Sequence, residues 1–191
     1  MCNQTNRGFS WNWAIAMKSG ALDQVIRMYK YGGPGQRGWA KIFGRILVGF
    51  LEAHAEPFRG FDLIIASPAD PGAFDHTREV LKEAAYEDMF NLEAWPFDAT
   101  VAPPVMVRTQ PVKRFAGKNF QQRLAIAEQE LLPALRVVDP KRVAGRRVLV
   151  YDDVFTTGLT LHTVGKVLEA SGAEEVCGIS LARAPFRGRS T

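Results

Sequence analysis

The chain has 191 residues, 47% of them hydrophobic, and a mild net charge of +4, which suits one domain with a sizeable core. No apolar run approaches the ~20 residues that span a bilayer, and the start, with Asn3, Gln4, Asn6 and Arg7, lacks a signal-like stretch, so a soluble, cytoplasmic protein is expected. Cys2 and Cys177 each lack a second cysteine nearby, which argues against a disulfide framework or a zinc site and makes Cys177 a buried strand residue.

In chain order, residues 1–20 read as an N-terminal extension and 21–191 as the domain proper. Ala21 to Tyr31 has the spacing of a short amphipathic helix, and Trp39 to His54 that of a longer one with Ile42, Phe43, Ile46, Leu47, Phe50 and Leu51 apolar. Gly33-Pro34-Gly35-Gln36-Arg37-Gly38 between them satisfies GxGxxG, but the charged Arg27-Met28-Tyr29-Lys30-Tyr31 before it is no buried strand, so a glycine-rich turn is expected. Phe61 to Ala66 predicts the first buried strand, Ser67 to Gly72 a turn, and Phe74 to Phe90 a helix. Val101 to Arg108 predicts a second strand, Asn119 to Leu132 a helix, Arg147 to Asp152 a third strand, Leu159 to Ala170 a helix and Val176 to Ala182 a fourth strand. Such alternation predicts an α/β fold, a parallel central sheet flanked by helices, with an N-terminal helical segment. Ligands of such sheets bind beyond the carboxyl ends of the strands, where Ser67, Asp70, Asp152 and Asp153 would lie.

Residues 108 to 147 hold ten Lys/Arg against Glu128, Glu130 and Asp139. A solvated helix face, a polyanion site and a nucleic-acid surface are the three readings, the last without an accompanying nucleic-acid motif. His54, His76 and His162 show neither metal-ligand spacing nor a nucleophile partner and are read as surface or satisfied residues.

Val148 to Thr160, VLVYDDVFTTGLT, sets two adjacent acids between a β-branched apolar run and a Thr/Gly turn that opens a helix. Unpaired backbone N–H groups from Thr156 through Thr157, Gly158 and Leu159 to Thr160, with the positive end of the helix dipole, can receive a phosphate. Asp152 and Asp153 accept hydrogen bonds when ionised and suit ribose hydroxyls or a hydrated metal.

Two acids after an apolar strand, followed by Thr-Thr-Gly-x-Thr, resemble the 5-phosphoribosyl 1-pyrophosphate (PRPP) motif of type I phosphoribosyltransferases. Met28-Tyr29-Lys30-Tyr31-Gly32, Phe61 to Pro68 and Gly178 to Ala184 are similar to further elements of one branch, the ComF family. The resemblance implies PRPP and Mg2+ as ligands and transfer of the phosphoribosyl group to an unspecified nitrogen acceptor, with release of pyrophosphate. It implies that Thr156 to Thr160 hold the 5-phosphate and that Asp152 and Asp153 hold the ribose hydroxyls and magnesium, directly or through water. The turn with Ala66, Ser67 and Asp70 would meet the pyrophosphate, and Arg114 or Lys118 would supply a mobile cover. Thr156 stands where 6-oxopurine salvage enzymes carry an acid, which disfavours such an acceptor; Phe186 reads as an aromatic packing on the hood or core, with stacking on a base as the alternative. The family's cysteine-rich zinc segment has no counterpart in this sequence, so zinc is not implied. The stretch Gly72-Ala73-Phe74-Asp75-His76 lacks the arginine of the family's pattern. A homodimer is left open, nucleic acid is not favoured and no membrane partner is expected. The other functional class is a non-catalytic PRPP sensor or a ComF-like competence factor.

Overall fold

The computed structural model describes residues 8–91 and 93–185. Four parallel strands form the central sheet in the order β1-β6-β5-β2, with β1 Asn12–Met17, β2 Leu63–Ala66, β5 Arg147–Phe155 and β6 Glu175–Arg183. Helices α1 Gly20–Tyr31, α2 Trp39–Ala53 and α3 His76–Asp88 cover one face; α6 Leu159–Ala170 covers the other. The expected α/β architecture is what forms.

Alternation along the strands feeds two cores. Leu149, Tyr151, Cys177 and Ile179 pack with Phe43, Leu47 and Leu81 on the helical face, while Val148, Val150 and Val176 pack with Val164 and Leu168 on the other. Both faces are therefore dry, which explains why β5 begins as a continuous apolar run. Cys177 is fully buried in β6, as expected. The GxGxxG segment is a 3-10 turn over Pro34–Gln36 preceded by α1, so it is the connector its context indicated.

Two strand assignments differ from expectation. The segment expected as an N-terminal extension contributes edge strand β1, paired in register from Asn12 with Gly178 to Met17 with Arg183. Its partner is remote in sequence, so local pattern carries no trace of the pairing. The expected second strand shrinks to β3 Met106–Arg108 and leaves the central sheet; it pairs antiparallel with β4 Leu135–Val137 in a two-stranded ribbon. Pro103 and Pro104 have no N–H to give a ladder, which removes the first half of that segment. Between β3 and β4 the expected helix forms as α4 Phe120–Ile126, opened by an Asn119–Gln122 capping box and continued through a π-turn over Ala127–Leu131 into α5 Leu132–Ala134. The ribbon packs on the α6 side through Met106, Leu135 and Val137. Among the described residues no helix is long and apolar enough to cross a membrane.

Candidate functional site

Because the four strands are parallel, their carboxyl ends share one edge of the sheet. Ser67 follows β2, Thr156 follows β5, Lys18 follows β1 and Ala184 follows β6, so loops remote in sequence meet there. β5 runs to Phe155, further than the expected end at Asp152, which places both acids inside the strand, with Asp152 opposite Ser180.

The turn proper is Thr156-Thr157-Gly158. Both threonines are exposed, and Gly158 is buried in the left-handed region at φ 77°. A methyl group there would come within 2.9 Å of the Phe155 ring and 3.4 Å of Phe9, so conformation and space both demand glycine. No side chain caps α6, whose opening Leu159 and Thr160 N–H groups have no intrahelical acceptor. This turn lines a cleft of about 960 Å3. Phe120 and Arg123 of α4 form another wall, and Lys18, Arg27 and Arg183 complete it. Among the described residues that line it, Asp23 is the only carboxylate, and it is shared by Lys18 at 2.8 Å and Arg27 at 2.9 Å. Of the expected phosphate-binding residues, Thr156, Thr157, Gly158 and Leu159 line this cleft. Thr160 is half-buried in the first turn of α6.

The acid pair divides by strand alternation. Asp153 lies on the face covered by α1 and α3, where its Oδ2 is 2.5 Å from Lys30 Nζ and 3.1 Å from His76 Nε2. Lys30 comes from the last turn of α1 and His76 opens α3; the Tyr29 hydroxyl donates to the His76 carbonyl at 2.6 Å and ties the two helices together. Burial pushes the Asp153 carboxyl up, but the His76 contact and the Lys30 charge outweigh it and hold the group well below the carboxylate range. Asp152 is half-buried, and its Oδ1 accepts the Asp153 N–H at 3.0 Å. Burial, and then the neighbouring Asp153 charge, push its carboxyl up to about 7. The two adjacent acids are thus unlike groups: one is neutralised internally, the other is half-buried with a raised carboxyl, and neither is among the residues that line the cleft.

Lys30 and His76 were not expected at the site from their own positions. The sequence signal was present for Lys30, in the Lys-Tyr element, but nothing in spacing joins residues 30, 76 and 153. His162, read as satisfied, accepts the Gly8 N–H at 3.0 Å, and His54 packs against Phe50 and Trp13.

The loop after β2 is anchored at its start. The Ser67 N–H donates to the Tyr151 carbonyl at 2.8 Å, and the Ser67 carbonyl accepts from Thr77 Oγ1 at 2.7 Å, while Ala66 is half-buried. Asp70 Oδ1 accepts from Arg108 Nη1 at 2.7 Å and from the Val112 N–H at 3.0 Å. Its carboxylate therefore pins the start of the basic segment to the loop. Arg114, on that segment, is exposed and sits over the Tyr31 ring at 5.5 Å, next in sequence to Lys30. Lys118 is exposed at the turn before α4, where its carbonyl accepts from Arg123 Nε.

Four of the ten cations of residues 108–147 are structural. Arg108 pairs with Asp70, Lys113 with Glu130, Arg142 with Asp98 and Arg147 with Glu175. The segment is thereby fastened to acids that mostly lie outside it. Of its cations, Arg123 is the one that lines the cleft, and no ion pair binds it among the described residues.

Magnesium prefers octahedral oxygen ligation and keeps several waters. Asp153 is buried with its Oδ2 facing Lys30 and His76, so it fits less well as a direct ligand than the half-buried Asp152. No group of three or more His, Cys, Asp or Glu among the described residues could cage an ion. The donor set fits a cation carried mainly by ligand oxygens and water, with Asp152 as its protein contact. Phe186 lies outside the described residues.

No protein-family model matches the chain, and no curated protein matches it.

Proposed function

We propose that the chain is a phosphoribosyltransferase that binds PRPP with magnesium and transfers the phosphoribosyl group to a nitrogen nucleophile. One observation carries this reading: the Thr156–Gly158 turn and the uncapped start of α6 open into a cleft whose lining, among the described residues, holds four Lys/Arg and one carboxylate. A turn of free N–H groups at a helix N-terminus, set in excess positive charge, matches the chemistry of a phosphate monoester.

The turn takes the 5-phosphate, with the Thr156 and Thr157 hydroxyls and the Gly158 to Thr160 backbone as donors. Asp152 accepts from the ribose hydroxyls, orienting C1 toward the acceptor. Asp153, held by Lys30 and His76, fixes the strand that presents Asp152 and contributes no open charge. The Ala66, Ser67 and Asp70 loop borders the same edge of the sheet, and the arm carrying Arg114 and Lys118 covers it. Magnesium, held by Asp152 with ligand oxygens and water, would supply charge neutralisation on the leaving diphosphate. In the reaction the nitrogen lone pair forms the bond to C1, the C1–O bond breaks, and pyrophosphate departs with the bonding electrons. Catalysis of this kind is mainly positioning and charge stabilisation.

Calorimetric titration with PRPP tests the binding half. Asp152→Asn is expected to weaken PRPP by about tenfold, the loss of roughly one charged hydrogen bond. The single variant is the right probe, since changing Asp153 would also unbalance Lys30 and His76. The wild-type affinity should rise with pH through about 7, where Asp152 ionises, and the ratio of wild type to Asp152→Asn should shrink toward acid pH. Equal affinities at pH 8 would remove Asp152 from the site. Pyrophosphate release in a screen of ammonia, glutamine and nucleobases tests turnover. PRPP binding with no release from any of them would leave the sensor class standing and the transferase reading refuted.

A further inference from the structure

We propose that β1 is a self-association edge: two copies of the chain join antiparallel along Asn12–Met17, about a two-fold axis at Ile15, into one continuous sheet. This goes beyond the transferase reading and does not depend on it.

β1 ends the central sheet, and among the described residues no strand pairs with its outer side. The Trp11 carbonyl accepts from the Gly178 N–H at 2.8 Å, and Asn12 stands opposite Gly178. The pleat therefore spends the backbone groups of Trp13, Ile15 and Met17 on β6 and points those of Asn12, Ala14 and Ala16 outward. Sheet edges are ordinarily blunted by charge or proline, and NWAIAM has neither. A hollow of about 410 Å3 lies along all six of its residues, so the strand is open to a partner.

A second copy is the occupant that fits. A two-fold axis sets the strand against itself reversed, so a charged edge would repel its own copy, and this one is neutral. With Ile15 on the axis, Ala14 exchanges both backbone hydrogen bonds with Ala16 of the second copy, because the outward groups of the two strands coincide. Trp13 then falls opposite Met17 of the second copy, on the side where Trp13 and Ile15 pack with the helical core. That aromatic–sulfur pair covers the two exposed side chains of the strand, which are 41% and 54% open. On the other side alanine meets alanine, which leaves the backbones free to reach ladder distance.

Helix α2 widens the edge. Its Gly44 faces Glu83 and Ala84 of α3, which turns Ile42, Ile46 and Phe50, each one turn apart, away from α3, and the Phe50 ring meets Trp13 at 6.2 Å. Trp13, Met17, Ile42 and Ile46 together leave roughly 350 Å2 of apolar surface open, a patch of the size that marks interaction sites. A small stable dimer buries about 600 Å2 on each copy, so these four side chains supply over half and the strand's backbone edge adds to them.

Sedimentation equilibrium of the full-length chain should show a dimer with a Kd of about 10 µM or tighter. Ala14→Pro removes an N–H that only the second copy uses, at an edge position where proline is tolerated. It should weaken the dimer about tenfold or more while thermal unfolding stays cooperative. Cysteine cross-linking in a Cys2→Ser background reads the register. Oxidation should link two copies through Ile15→Cys, whose thiols meet on the axis, and not through Ala14→Cys, whose positions lie beyond the ~7 Å reach of a disulfide. A monomer at about 100 µM, a dimer that Ala14→Pro leaves intact, or equal cross-linking through both positions would each overturn the proposal. Should Ala14→Pro fail to fold, the cross-linking pair decides alone.

Discussion

Lys30→Met is expected to destabilise the protein by about 3 to 5 kcal/mol at pH 7, the largest loss any single change near the site should bring. Lys30 and Asp153 are only 23% and 11% exposed, so removing the ammonium leaves a carboxylate that water screens poorly. His76 alone would then face it, through a contact that is an ion pair only when the imidazole is protonated. Methionine keeps the length of the stem, which separates the lost charge from lost packing. Urea denaturation measures the change, and a loss below about 1 kcal/mol would show a pair screened like a surface one. The double variant Lys30→Met, Asp153→Asn should recover much of the loss, because breaking a buried pair costs more than removing both charges. pH supplies the sign. The folded Asp153 carboxyl lies below its unfolded value, so its contribution is present above about pH 4 and is lost as pH falls below that. The gap between wild type and Lys30→Met should accordingly close in acid.

Gly165→Ala should lower stability by roughly 1 to 3 kcal/mol although it replaces glycine inside a helix. In an open helix the same change gains about 1 kcal/mol from backbone entropy. Here the helix α6 passes Gly8 backbone to backbone, and a methyl at Gly165 would overlap the Gly8 carbonyl. Helix and N-terminal segment must then part. That segment carries Phe9, whose ring meets Phe155 edge-on at 6.3 Å above the turn, and it leads into β1 through the Ser10 N–H bond to the Val176 carbonyl. Thermal unfolding should show a fall of about 2 to 4 °C for each kcal/mol, and ribose 5-phosphate should bind more weakly because the start of α6 moves. A rise in melting temperature would mean that the close approach is absent in solution.

Both expectations turn on contacts that cross long stretches of sequence, and the same distinction separates what could be read early from what could not. The strand, turn and helix around Asp152 and Asp153 were legible because their signals are local: β-branched residues, a glycine that alone tolerates the left-handed turn, and apolar spacing in α6. Helices α1 and α2 were legible for the same reason. The strand Asn12–Met17 was not, since an edge strand is defined by the partner it finds, here a strand from the other end of the chain. Val101 to Arg108 misled because β-branched composition fits a sheet but does not say which sheet, and two prolines curtailed it.

At the site, sequence by itself determined the Thr156–Gly158 turn and the presence of paired acids, because those features are written in adjacent residues. Tertiary structure decided how the acids differ. Strand alternation sends Asp153 to the face where Lys30 and His76 arrive from two helices, and leaves Asp152 half-buried with a raised carboxyl. It also decided the fate of part of the basic segment, four of whose ten cations are paired with Asp70, Asp98, Glu130 and Glu175. The physical reason is common to both cases: the energy of a charge is set by distance and burial, and neither follows from a residue's place in the chain.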